Sequence, residues 1–183
     1  MDITTTQTNT FLQRLIGAAA CDVAIHEDVE RDRAATPQAF AVVLASSVAI
    51  GLGFSGLTGG PVNLAFFSII ALLAWASWAL LTYTIGVHLM PEAQTRGDVG
   101  EMLRTLGFAA TPGLLNVLGI MRPVARPVLV VTALWMLVAM IVAVRQTLDY
   151  RSTARAVAVC VAGWVLAVVV AVALGVFFAP PVS

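Results

Sequence analysis

Four stretches of this sequence carry no Asp, Glu, Lys or Arg: Ala34–Pro91, Thr105–Met121, Pro127–Val144 and Ala156–Ser183. Nothing else in the chain constrains its fold as strongly. A helix needs about 20 mainly apolar residues to cross the ~30 Å hydrocarbon core of a bilayer. The first stretch is long enough for two crossings and the others for one each. Composition points the same way: 60% of residues are hydrophobic and 11% charged, where a soluble domain carries roughly 25% charged residues. The expected fold is all-α, a polytopic membrane protein with five transmembrane helices preceded by an amphipathic N-terminal helix.

Residues 1–9 read as a polar tail. Residues 10–35 read as an amphipathic helix, cytoplasmic or interfacial, in which Phe11, Leu12, Leu15, Ile16, Ala19 and Val23 share a face. Gln13, Arg14 and Asp22 interrupt the apolar run, so this segment is too short and polar to span, and no signal peptide is expected. The charged run that follows offers helical ion pairs at Glu27/Arg31 and Glu30/Arg33. His26 and Glu30, four apart, could share a metal. One His beside carboxylates instead reads as a solvated, salt-bridged helix end, and no metal site is expected. Cys21 and Cys160 are too few for a disulfide framework.

The five-span bundle is expected over 36–179, with spans at about 38–57, 62–90, 99–120, 127–144 and 153–178. Thr36-Pro37 starts the first span with an N-cap and a proline at the first helical position. Ala45, Ala49 and Gly53 in that span recur at intervals of four, as do Ala167, Ala171 and Gly175 in the last, and small residues at this spacing let helices approach closely in lipid. Gly56–Pro61 reads as a tight turn, and Gly119–Arg126 as a short loop. His88 is expected at an interface.

The third segment decides the topology. Asp98 and Glu101 form a capping-box variant at its start. Pro112 removes a backbone donor and leaves the Phe108 carbonyl without its usual partner. Thr111 can supply a hydroxyl there, Gly107 and Gly113 make room for a neighbour, and a kink is expected. Asn116 brings a polar side chain to membrane depth, where it needs a partner. Thr105–Met121 as α-helix covers only about 25 Å, short for a span. Arginine placement favours a crossing. With five spans and the N-terminus inside, eight arginines (14, 31, 33, 96, 104, 145, 151 and 155) lie inside and two (122 and 126) outside. If the third segment turns back instead, the split falls to seven against three.

Chemistry is sparsely marked. No acid or base lies deep in a span, and no nucleophile set or phosphate loop has a usable spacing. The chain is therefore expected not to be an enzyme. Net charge is zero, all ten basic residues are arginine, and no basic run points to nucleic acid. The tryptophans are placed unusually. Trp75, Trp78, Trp135 and Trp164 avoid the interfaces that membrane tryptophans favour. They either pack inside the bundle or face a hydrophobic molecule such as a quinone, pigment or lipid.

The order of features resembles the bacterial branch of the Yip family, the Ypt/Rab-interacting integral membrane proteins. The resemblance is carried by Val29-Glu30-Arg31-Asp32-Arg33-Ala34-Ala35-Thr36-Pro37-Gln38-Ala39, by Leu103-Arg104-Thr105-Leu106-Gly107-Phe108-Ala109-Ala110-Thr111-Pro112, by Trp135-Met136-Leu137-Val138-Ala139-Met140 and by Val144-Arg145-Gln146-Thr147-Leu148-Asp149-Tyr150. It implies a five-span bundle with a cytoplasmic N-terminus. Eukaryotic relatives act in vesicle trafficking and bind small GTPases or one another. This chain lacks their long N-terminal region with its acidic-Leu-x-Gly-Pro type motif, which argues against a small GTPase partner.

The expected function is a non-enzymatic membrane scaffold or adaptor of the Yip type, in a bacterial inner membrane, with the N-terminus cytoplasmic and the C-terminus outside. Its expected partners are membrane lipids and other integral membrane proteins or further copies of itself. No cofactor is expected beyond a bound lipid. Two rival readings are an accessory subunit of an energy-converting complex that contacts pigment, quinone or lipid, and a small transporter or channel.

Overall fold

The computed structural model describes residues 9–58, 61–95 and 98–178, with side chains described for 9–55, 63–95, 98–166 and 169. Every regular element among the described residues is helical. Among the described residues, four helical stretches are long and apolar enough to cross a membrane: Arg33–Ser55, Asn63–Leu89, Val99–Ile120 and Arg122–Thr147. They mark the chain as a membrane protein.

The N-terminal segment forms two helices rather than one: α1 (Phe11–Ala19) and α2 (Val23–Arg31). The break has a local cause. Cys21 takes a left-handed backbone with φ 59°, and the Asp22 carboxylate then accepts from the Ala24 N–H to cap α2. His26, expected on a solvated helix end, is instead buried at 1% exposure. A 3₁₀ turn at Arg33–Ala35 leads into α3 (Thr36–Thr58). The expected turn at Gly56–Pro61 falls largely outside the described side chains.

α4 (Pro61–Thr84) continues into a single π-helical turn at Ile85–Leu89, where His88 is exposed. α5 (Val99–Ala109) opens with a capping box in which the Asp98 carboxylate and the Glu101 side chain each bond the other's end of the first turn. At Pro112 the chain does not bend and resume α-helix. It changes to a 3₁₀ helix from Thr111 to Ile120, started by the Gly113 N–H donating to the Ala110 carbonyl at 2.9 Å. This matters for length. A 3₁₀ helix rises about 0.5 Å more per residue than an α-helix, so α5 and the 3₁₀ segment together cover about 36 Å.

α6 (Arg122–Thr147) follows after a single residue, so the loop expected over Gly119–Arg126 is absent. Pro123 sits in the first turn, where a missing N–H costs nothing. Pro127 falls one turn later, where the carbonyl it leaves free belongs to Pro123, near the helix end. α7 is Thr153–Phe178.

α3 is the central helix. It packs against α4 on one side and the 3₁₀ segment on the other, and α6 closes over the 3₁₀ segment and α5. α7 lies against α4 and touches α6. The α1–α2 pair rests on α5 and α6. The α4–α5 and α6–α7 connections meet at one end of the bundle. Tyr150 donates toward the Gly86 and Met90 carbonyls (2.9 and 3.1 Å), and Glu92 receives the Arg151 N–H at 3.1 Å. Gln146 reaches Glu27 of α2 at the same end, 3.1 Å away.

Candidate functional site

Three of the four tryptophans converge on one cavity. Trp75 and Trp78 come from α4 and Trp164 from α7, facing Ser46 and Ser47 of α3 and Met136 and Met140 of α6. The cavity holds about 320 Å³, at the small end of pockets that take small molecules. Its origin is legible in the side chains. Ala71, Ala74 and Ala133 face it from two helices, and methyl groups there leave space that larger residues fill in a close-packed core.

The walls are held by cross-helix bonds. Trp78 is 5% exposed and donates its indole N–H to the Cys160 carbonyl at 3.1 Å, fixing α4 to α7. One turn beyond, a Cβ on Gly163 would lie 2.5 Å from the Thr82 hydroxyl, so only a glycine admits that contact. Ser46 donates to the Ala110 carbonyl at 2.9 Å, fixing α3 to the start of the 3₁₀ segment. Trp75 differs. Its indole nitrogen is buried with no hydrogen-bond partner among the described residues. A buried N–H left unpaired costs about 1–3 kcal/mol.

The lining contains no acid, base or thiol among the described residues. Its chemistry is that of an apolar receptacle with aromatic faces, two thioethers and two serine hydroxyls. Trp135 is not part of it. That indole lies on another face of α6 and donates to the Ala19 carbonyl at the end of α1, 2.7 Å away.

The third segment contributes Ala110 to the lining and packs on α3 with unusual closeness. A Cβ on Gly107 would lie 2.9 Å from the Ala39 Cβ, one on Gly113 3.1 Å from the Ser46 Cβ, and one on Gly119 2.7 Å from the Gly53 Cα. The spacings match physically. Ser46 and Gly53 are seven residues apart on an α-helix, about 10.5 Å, and Gly113 and Gly119 are six apart on a 3₁₀ helix, about 12 Å. Every third residue of a 3₁₀ helix shares a face, so Gly113, Asn116 and Gly119 line up, all buried. Asn116 donates to the Gly113 carbonyl at 2.9 Å, and its Oδ1 lies 2.7 Å from the Thr132 hydroxyl of α6. Thr111 donates to the Phe108 carbonyl at 2.6 Å, the acceptor that Pro112 leaves free.

The small residues of the first span divide. Ala49 and Gly53 are buried, whereas Ala45 is exposed. Steps of four residues advance 400° around a helix, so each precesses 40° and the first has left the contact face. Ala167, Ala171 and Gly175 lie outside the described side chains.

The charged end holds residues that sequence reading passed over. Arg14 is 3% exposed. Its guanidinium bonds Asp28 at 2.9 Å, Asp32 at 2.7 Å and Gln38 at 3.2 Å. That hydrogen bond from Arg14 holds the Asp32 carboxyl below its ordinary range. Arg104 donates to the Glu30 and Val29 carbonyls at 2.6 and 3.4 Å. It thus satisfies the last turn of α2 with a cation, where the helix dipole favours one. Burial, reinforced by Glu101 and Asp149, pushes the Glu30 carboxyl up. Burial pushes the His26 imidazole down.

No family model, curated protein or solved structure matches the chain.

Proposed function

We propose that this chain is a non-enzymatic integral membrane adaptor that associates with other membrane proteins and carries one lipidic or isoprenoid-like molecule in its bundle. The cavity walled by Trp75, Trp78 and Trp164 carries this reading. Apolar cavities of this kind take up apolar molecules readily, and one opening among membrane-depth helices meets lipid tails before anything else.

The adaptor is a five-span bundle with its N-terminus in the cytoplasm of a bacterial cell, the arrangement implied by the resemblance to the Yip family. Three observations support the count. The third segment reaches about 36 Å once its 3₁₀ portion is included. α7 is 26 residues long, about 39 Å as α-helix. Arginines 14, 31, 33, 104, 145, 151 and 155 gather at the end where the connections meet, and 122 and 126 stand at the start of α6.

The test is purification in mild detergent or native nanodiscs, followed by native mass spectrometry and organic extraction. A stoichiometric apolar molecule, released when Ala74→Phe fills the cavity, is the expected result. A folded protein that carries nothing, and whose mass does not change on extraction, sinks the reading.

A further inference from the structure

α1 is amphipathic the wrong way round for a helix in water. Its arginine points inward: Arg14 is 3% exposed and held by Asp28, Asp32 and Gln38. Its large apolar side chains point outward, with Leu12 and Ile16 each 63% exposed and Phe11 42%. Val23, at the start of α2, continues that surface at 46%. In water this would leave an apolar patch uncovered while a guanidinium was desolvated, both unfavourable.

The depth of the helix resolves the contradiction. The Ala19 carbonyl, at the end of α1, accepts from Trp135 at 2.7 Å. Trp135 lies 13 residues from Arg122 and 12 from Thr147, the two ends of α6 (135 − 122 and 147 − 135). That is roughly 18–20 Å from either end. At its other end α1 sets Phe11 against Phe108, ring centroids 6.2 Å apart, next to the start of the 3₁₀ segment. α1 therefore lies below the charged end of the bundle, which it reaches through the Arg14 side chain, bonded to Asp32 and to Gln38 near the start of α3. The exposed apolar surface of the spanning helices extends past it toward that end, with Phe40 on α3 53% exposed and Val138 on α6 also 53%. A water boundary at the level of α1 would leave both of those side chains wet.

We infer that the α1–α2 hairpin is a wedge sunk into the cytoplasmic leaflet, with Phe11, Leu12, Ile16 and Val23 facing the acyl chains of phospholipids. α2 climbs from this depth back to the surface, where Glu27 meets Gln146. The Arg14 cluster is the device that makes insertion possible. It neutralises the one cation of α1 inside the protein; the exposed polar groups that remain along it are Thr10, Gln13 and Asp22. The wedge displaces lipid in one leaflet only. This inference rests on α6 being a spanning helix, and the experiment tests the two separately.

The unmodified protein is reconstituted into phosphatidylethanolamine/phosphatidylglycerol vesicles containing a phospholipid with a diazirine midway along its acyl chain. Carbene adducts are then mapped by peptide mass spectrometry. Adducts on Leu12 and Ile16, at a yield comparable with that on exposed Leu134 of α6, are expected. Adducts on Leu134 with none on residues 11–19 overturn the wedge and leave the spanning helix standing. Absence of adducts from both overturns the membrane reading and the wedge together.

Discussion

Gly53 and Gly119 meet backbone to backbone, so closely that a Cβ on Gly119 would stand 2.7 Å from the Gly53 Cα. Neither neighbour is a flexible side-chain end that can move aside. A Cβ on Gly53 would likewise meet the Asn116 carbonyl oxygen at 2.8 Å. Gly119→Ala should therefore destabilise by about 1–3 kcal/mol, the usual cost of overpacking. The melting temperature in detergent, followed by tryptophan fluorescence, measures this. Ala45→Val is the control. Ala45 is exposed on α3, the helix that carries Gly53, and its substitution should leave the transition within error of the parent.

The Asn116–Thr132 pair is a polar bond between the 3₁₀ segment and α6, 2.7 Å long with both residues buried. Thr132→Val keeps shape and removes the donor. The cost should be about 1 kcal/mol, since hydrogen bonds between membrane helices average ~0.6 and reach ~1.7 kcal/mol in double-mutant cycles. A cycle with Asn116→Leu isolates the coupling. A coupling indistinguishable from zero would show that Val128, whose carbonyl lies 2.8 Å from the same hydroxyl, takes the proton instead.

Much of this arrangement was legible in the sequence and some was not, for reasons that can be named. The uncharged stretches force apolar helices because unpaired backbone groups are intolerable in hydrocarbon. Pro112 announces a disruption and Thr111 stands beside the carbonyl that needs it. The change to 3₁₀ geometry was harder to see, because a single proline reads as a kink. Its signature is the three-residue rhythm of Gly113, Asn116 and Gly119, which an α-helical reading spreads around the helix. Burial of Arg14 was hidden, since its partners Asp28, Asp32 and Gln38 lie 14, 18 and 24 residues away. The cavity was hidden too. Trp75, Trp78 and Trp164 were conspicuous, but a void arises only when alanines from two helices oppose one another.

Removing the Arg14 side chain should weaken the docking of α1 and α2. Arg14→Met leaves Asp28 and Asp32 without their common cation. Those carboxylates retain 28% and 34% exposure, so solvent offsets part of the loss. Hydrogen bonds to charged groups contribute about 1.5–3 kcal/mol each, and a total loss near the bottom of that range is expected. Hydrogen–deuterium exchange reads it locally: protection of residues 11–31 should fall while that of α3 and α6 persists. Uniform loss of protection would show that the hairpin and bundle unfold as one unit.

His26 makes the hairpin sensitive to acid. Its ring is buried, with Nδ1 2.8 Å from the Asp22 carbonyl and Nε2 without a partner among the described residues. Burial lowers its pKa below the ordinary 6.5. The unfolded chain then binds more protons than the folded one as pH falls from about 6.5 toward the depressed folded value, and stability declines across that window. Glu30 acts in the opposite sense, because burial and the nearby Glu101 and Asp149 raise its pKa, so acidification relieves its cost. Comparing the parent with His26→Gln cancels the Glu30 contribution. The parent should lose more stability than the variant between pH 6.5 and 5, and parallel pH profiles would remove His26 from the account.

The cavity and the glycine seam predict opposite responses to added volume. Ala74 faces about 320 Å³ of open space, so Ala74→Leu should fold without the penalty of overpacking. Each added buried methylene is worth about 0.8 kcal/mol where room exists, and the variant should match or exceed the parent in melting temperature. It should also exclude the guest, lowering the yield of any co-purified apolar molecule. Gly113→Ala adds one carbon against Ser46 and Met136, two residues that line the cavity. There a Cβ would meet the Met136 sulfur at 2.9 Å and the Ser46 Cβ at 3.1 Å, and stability should fall. If both substitutions destabilise alike, the space beside Ala74 is not free to be filled, and the receptacle reading loses its physical basis.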